Sequence, residues 1–214
     1  MVYALPFIFG FLTAIVGIFP PGLINMTAAK ISIQDGKTRA LLFTFGALII
    51  IFFQTLLALI FARYIDKHQE IVNLLRAIGF GIFLVLTIYF LWIAKKPKKK
   101  KSGKIKIKSK KSRFFLGLLI SAINFFPIPY YVLVSVSLAS FNYFTFDKIS
   151  IYTFVIGAVT GSFLVFYSYI SFFKKIESKT DYIIRNMNTI LGIITGIVAL
   201  STLFYIIKYY LKVQ

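Results

Sequence analysis

The feature that most constrains this chain is a helix-breaking run set inside apolar sequence, Phe19-Pro20-Pro21-Gly22-Leu23-Ile24-Asn25. Proline has no N–H to donate and its ring clashes one turn back, and glycine adds backbone freedom, so an ordinary helix cannot continue through this run. A second copy lies half a chain away. Gly10 to Pro20 aligns without a gap on Gly117 to Pro127, with Gly, Phe and Pro in register 107 positions apart. Paired breaks in corresponding apolar segments of two half-chains are the sequence sign of a transporter built from structural repeats, with its binding site at the breaks.

The surrounding composition is that of a membrane protein. Of 214 residues, 59% are hydrophobic, 18% aromatic and only 14% charged, and a soluble domain of this length would expose more charge. There is no cysteine, which removes disulfides, thiolate metal sites and dithiol redox chemistry together. The one histidine, His68, argues against a transition-metal relay and reads best as a solvated loop residue, so no metal or other cofactor is expected. A net charge of +19 would suggest nucleic acid in a soluble protein, but twelve of the 25 Lys and Arg residues fall between Lys95 and Arg113. That is one loop, and nucleic acid is not expected as a partner. Residues 1 to 29 carry no Lys or Arg, so the positive start of a signal peptide is missing and the first apolar run is expected to remain as a helix.

Crossing roughly 30 Å of hydrocarbon takes about 20 apolar residues. Six stretches qualify, near residues 4–26, 40–62, 74–94, 114–139, 151–173 and 190–209, the first and fourth containing the breaks. The expected fold class is therefore all-α and polytopic, one membrane domain with six transmembrane helices. Residues 1–94 form a first three-helix repeat, 95–113 a basic cytoplasmic linker and 114–214 a second repeat. Three spans per half is an odd number, so the second half must enter the bilayer from the opposite side and the repeats are inverted. Asn73, Gly79 and Lys95 match Asn186, Gly192 and Lys208 at a constant offset of 113, a weaker echo of the same duplication. The Phe52-Phe53 and Phe125-Phe126 runs fit core packing or lipid contact equally well.

Orientation follows from Lys and Arg in the short loops, because cytoplasmic loops carry the excess. With the 95–113 loop inside, nineteen of these residues lie inside and five outside, Arg76 being near a span start. Both termini are then outside. The linker itself alternates lysine with serine, glycine and isoleucine and has no acidic partner. It reads as a topology signal and tether, or more sharply as a site for anionic lipid head groups.

Within the bilayer a broken helix survives only where it is buried in protein or lines a wet cavity. Pro20-Pro21-Gly22 and Pro127-Ile128-Pro129 therefore suggest an internal cavity, unless they merely kink packed helices. Freed N–H groups at the start of the following half-helix suit a carboxylate or phosphate. Asn25 follows the first break and Asn124 precedes the second, each offering two donors and an acceptor. Gln54, in the middle of the second span, serves either substrate or an interhelical hydrogen bond. The candidate substrate-binding residues are thus Pro20, Pro21, Gly22, Asn25, Gln54, Asn124, Pro127 and Pro129. Thr27 and Ser121 stand nearby but are not favoured. All six acidic residues fall in loops or at span ends, so no relay for protons or cations is visible at membrane depth. The small-residue faces Gly157-xxx-Gly161 and Gly192-xxx-Gly196 allow close helix approach, within one chain as the simpler reading or between two in a homodimer.

These residues resemble the lysine-exporter (LysE) superfamily, in particular its amino-acid exporters. The resemblance rests on Pro21-Gly22 in the first span, Gly36-Lys37-Thr38-Arg39-Ala40 leading into the second, Gly46 within it, and Gly117 with Asn124 and Pro127 in the fourth. It covers nearly the whole chain, with two departures: the family's Pro-Gly-Pro is Pro21-Gly22-Leu23 here, and its Asn-Pro is split between Asn124 and Pro127. The resemblance implies six spans, an inner-membrane location and export of an amino acid or similar metabolite driven by an ion gradient. Superfamily branches that move reducing equivalents need cysteines, and those that move divalent metals need intramembrane acids or histidines. The expected function is a secondary transporter working by alternating access on a small-molecule substrate. A non-transporting scaffold whose basic loop binds anionic lipid or an acidic partner is the second reading. A membrane enzyme is the third, and no nucleophile with a base, carboxylate pair or metal cluster supports it.

Overall fold

The computed structural model describes residues 4–68, 80–81, 83–94 and 109–212. Among them all regular structure is helical. The elements are α1 (Ala4–Ile18), α2 (Leu23–Asp35), α3 (Lys37–Lys67), α4 (Phe83–Ile93, its last turn a π-helix over Tyr89–Ile93), α5 (Lys110–Ile123), α6 (Pro127–Ser140), α7 (Lys148–Arg185) and α8 (Met187–Lys212).

Both breaks occur where the prolines require them. α1 and α2 bend by 75° across Phe19 to Gly22, and α5 and α6 by 60° across Asn124 to Phe126. With 15, 13, 14 and 14 residues, none of the four half-helices reaches 30 Å at about 1.5 Å per residue. Each bent pair counted as one span joins Lys37–Lys67 and Lys148–Phe172, which are long and apolar enough alone, to give four. The second half-helix α2 runs on to Asp35, nine residues past the expected end of the first span. Much of the expected third span and the linker up to Lys108 lie outside the described residues, as do Asn73, Gly79 and Lys95.

Local chemistry sets the ends. Gly36, at φ +92°, closes α2 in a conformation that favours glycine, and α3 begins at the next residue. The Ser109 hydroxyl accepts from Ser112 N at 3.2 Å and opens α5, while Pro127 opens α6 where a missing N–H does no harm. Asp147 opens α7 by accepting from Ile149 N and Ser150 N, each at 3.0 Å.

The chain divides into two compact units, Met1–Tyr64 with Ser102–Glu177 and Ile65–Lys101 with Ser178–Gln214. In the first, glycines bring helices to backbone contact. A Cβ on Gly10 would overlap the Phe154 carbonyl and one on Gly157 the Phe7 carbonyl, so α1 and α7 lie directly on each other. α3 and α5 meet the same way, Gly46 against Phe114 and Gly117 against Phe43. Two apolar cores result. One joins Ala14, Leu59, Tyr131, Phe144 and Phe154, and the other Ile24, Phe43, Leu48, Ile51 and Phe166. In the second unit the glycines of α8 meet side chains instead, Gly192 that of Leu91 and Gly196 that of Thr87 on α4. Both small-residue faces thus pack within one chain.

The outer surface is apolar. Leu5, Ile8, Leu12 and Val16 form an exposed stripe along α1, and Phe45, Ile49, Phe53, Leu57 and Ile60 another along α3. Exposed apolar stripes of this length suit lipid and not water. Phe53, Phe125 and Phe126 are exposed, so most of the two phenylalanine runs lies outside the packed core.

Candidate functional site

The site is built where the two breaks come together, inside the first unit. Gly17, in the last turn of α1, faces the Tyr130 ring in the first turn of α6: a Cβ there would stand 2.6 Å from Cε1. The Tyr130 hydroxyl donates to the Thr13 carbonyl at 2.9 Å, fastening α6 to α1. On the other side α2 packs on α5.

Three carbonyls freed by the first break each accept a hydrogen bond from a side chain. Asn25 Nδ2 donates to Ile18 O at 2.8 Å and Pro20 O at 2.9 Å, and the Tyr169 hydroxyl donates to Phe19 O at 2.9 Å. Asn25 Oδ1 accepts from Gly22 N at 2.6 Å and Met26 N at 2.9 Å. All the polar capacity of Asn25 is therefore spent on backbone, and the residue is 2% exposed. It holds the break in shape; in this conformation it offers nothing to a ligand. Leu23, Ile24 and Asn25 open α2, and their N–H groups have no acceptor within the helix.

The second break is closed from α3. Gln54 Nε2 donates to Asn124 O at 2.9 Å and Ser121 O at 3.2 Å. The N–H groups after the break do not form an anion site: Pro127 and Pro129 have none, and Ile128 N and Tyr130 N donate to Phe125 O and Phe126 O at 3.2 and 3.3 Å. What the second break leaves open is acceptor capacity. Gln54 Oε1 and Ser121 Oγ are buried without hydrogen-bond partners, in a region where buried polar atoms are normally paired. Thr55 and Ser162 face the Tyr131 hydroxyl, and all three are buried. The two ends thus differ: the start of α2 presents N–H groups without an acceptor in their own helix, and beside the end of α5 lie an unpartnered amide oxygen, Gln54 Oε1, and the Ser121 hydroxyl.

Of the residues singled out from sequence, Pro20, Pro21, Gly22 and Asn25 gather at the first break, and Gln54, Asn124, Pro127 and Pro129 at the second. Sequence reasoning passed over Tyr130, Tyr131 and Tyr169. Tyr130 and Tyr131 follow Pro129 directly and could have been drawn in with the motif; Tyr169 acts across 150 positions and left no local signal. It also set Ser121 aside, whose hydroxyl is one of the unpartnered acceptors. Asp35, expected with the other acidic residues in a loop or at a span end, is instead the buried last residue of α2, ion-paired with Arg113. Among the described residues no group of three or more His, Asp or Glu could hold a metal.

No curated protein and no solved structure matches this chain. The model of the LysE type translocator family matches residues 15–205, which include both breaks, α3 and all eight candidate substrate-binding residues. The chain belongs to the LysE type translocator family and is, with it, a membrane transporter with helical membrane-spanning segments.

Proposed function

We propose that this protein is a secondary transporter exporting an amino acid or similar zwitterionic metabolite across the cytoplasmic membrane, with its substrate held between the two breaks. The observation that carries the reading is the opposed polarity of those breaks. A carboxylate suits the free N–H groups of Leu23 and Ile24 at the positive end of α2. An ammonium group suits Gln54 Oε1 and Ser121 Oγ, which are buried acceptors without donors. Asn25 and the prolines act as the frame, and Gln54, Ser121 and the Asn124 side chain as the contacts.

The glycine contacts support two inverted three-helix repeats. Gly10 on Phe154 and Gly117 on Phe43 are equivalent under offsets of 107 and 111, and so are Phe7 on Gly157 and Phe114 on Gly46. Each first helix then packs on the second helix of the other repeat, as an inverted pair requires. Gln54 is only 7% exposed, so substrate enters only when helices part. This favours alternating access by rocking of one half against the other. The charge balance of the loops favours an inner membrane with both termini outside, and the Lys95–Arg113 loop as a contact for anionic lipid.

A growth-inhibition screen tests this reading. Cells overexpressing the chain are expected to tolerate at least one toxic amino acid or analogue better than cells carrying Gln54→Leu. Equal sensitivity across the panel, with equal membrane levels of both proteins, would count against it.

A further inference from the structure

Away from the breaks, three helices meet on one carboxylate. Asp35 is the last residue of α2, and Arg113, in the first turn of α5, donates from Nε to Asp35 Oδ2 at 2.6 Å. A second guanidinium nitrogen forms an ion pair with the same oxygen, and the Asp35 and Arg113 side chains are 0% and 4% exposed. From the start of α3, Arg39 Nη1 donates to the Asp35 carbonyl at 2.8 Å. Asp35 Oδ1 and Arg39 Nε are buried there with no further partner. The other charged groups of these helix ends, Lys30, Lys37, Lys110 and Lys111, are exposed.

Among the described residues, the opposite end of the first unit shows no such pair. At the offset of 107 that relates the breaks, Asp35 corresponds to Asn142 and Arg113 to Pro6, and the nearby Phe144 and Phe146 are buried in the apolar core. One end is therefore shut by charge and the other by apolar packing.

We propose that Asp35 and Arg113 form an ionic latch that holds α2 against α5 and keeps that end of the transport path shut. The inference rests on the transporter reading above. α2 is a 13-residue rod fixed at one end by the Asn25 hydrogen bonds and at the other by this pair, with Gly36 beyond it at positive φ. A buried carboxylate parted from its guanidinium is strongly unfavourable, so the two groups separate only where water reaches both. The latch then has two states, paired and dry or parted and wet, and parting it opens the end it closes.

The absence of cysteine makes the test direct. Thr44 is fully buried on α3, five residues past Arg39 and so about 7.5 Å further in, while Ala58 is fully buried in the core at the opposite end. Thr44→Cys and Ala58→Cys are placed separately in the full chain, purified in detergent, and labelled with a small maleimide. Asp35→Asn and Arg113→Gln are each expected to speed labelling at Thr44→Cys about tenfold or more, while Arg113→Lys, which keeps the charge, stays near the parent rate. Labelling at Ala58→Cys is expected to be unchanged. Thr44→Cys rates equal to the parent in the neutral variants overturn the latch, and so does equal acceleration at both cysteines, which would mean general loosening. If Asp35→Asn aggregates, the contrast between Arg113→Gln and Arg113→Lys decides, and equal rates there overturn the proposal. Labelling needs no substrate. Failure of the transporter reading would appear instead as a parent chain that moves no amino acid in proteoliposomes.

Discussion

Gln54 reaches seventy positions along the chain to Asn124, its side-chain N–H group donating to the Asn124 carbonyl at 2.9 Å. Through that bond and its neighbour to Ser121, the middle of α3 supplies the donor that the interrupted α5 lost. Gln54→Leu removes both bonds: the Ser121 carbonyl keeps the Asn124 N–H, but the Asn124 carbonyl loses its donor at a cost of about 1–3 kcal/mol. The expected result is a midpoint of thermal unfolding lower by several degrees and loss of transport. Gln54→Glu, which offers acceptors where donors are needed, is expected to be no better than Gln54→Leu by either measurement.

Asn25 presents donors to two carbonyls and an acceptor to two N–H groups. Asn25→Asp keeps the acceptor but sets a negative charge against Ile18 O and Pro20 O. It should therefore destabilise at least as much as Asn25→Ala, by about 2 kcal/mol or more. Thermal unfolding in detergent checks the order; an Asn25→Asp protein as stable as the parent would mean the carbonyls do not depend on this side chain.

Two glycines that each meet a phenylalanine carbonyl on the facing helix should respond alike. A methyl group on Gly10 or Gly117 meets a backbone carbonyl of the facing helix, which cannot swing aside as a side chain can. Gly10→Ala and Gly117→Ala are each expected to lower stability by about 1–3 kcal/mol. Gly17→Ala meets only the Tyr130 ring and should be milder. Comparative unfolding of the three variants reads this order directly.

Outside the spans, Asp147 gives the fold a pH dependence. Hydrogen bonds from the Ser150 side chain first, then from the Ser150 N–H and the Thr145 hydroxyl, lower its carboxyl to about 2. A lowered carboxyl adds stability that is present above the ordinary carboxylate range, near about 4, and is lost as pH falls through the folded value. The parent should thus lose stability between about pH 4 and pH 2. Asp147→Asn, which keeps a cap but cannot ionise, should lose less over the same range. Because Asp147 is exposed, the difference is expected to be small and to shrink further in salt.

The bends and their pairing were legible in sequence because proline and glycine act locally and the duplicated Gly and Pro positions preserve their spacing. The glycines at helix contacts were partly legible for the same reason: Gly10 and Gly117 stood in register before their partners were known. What Gln54 and Asn25 do was not legible. An amide reads the same whether its partner is a ligand or a backbone carbonyl, and only coordinates say which carbonyls the breaks leave bare. The Asp35–Arg113 pair was hidden for another reason. Both residues border polar loops in sequence, and their burial arises from helices 78 positions apart packing together.

The most direct test of the account is counterflow of a radiolabelled amino acid into proteoliposomes loaded with the same unlabelled compound, using the compound that the growth screen selects. The parent chain is expected to accumulate label above protein-free vesicles, and Gln54→Leu, reconstituted to the same level, to fall to the vesicle background. Uptake by Gln54→Leu equal to that of the parent would contradict a substrate site between the two breaks.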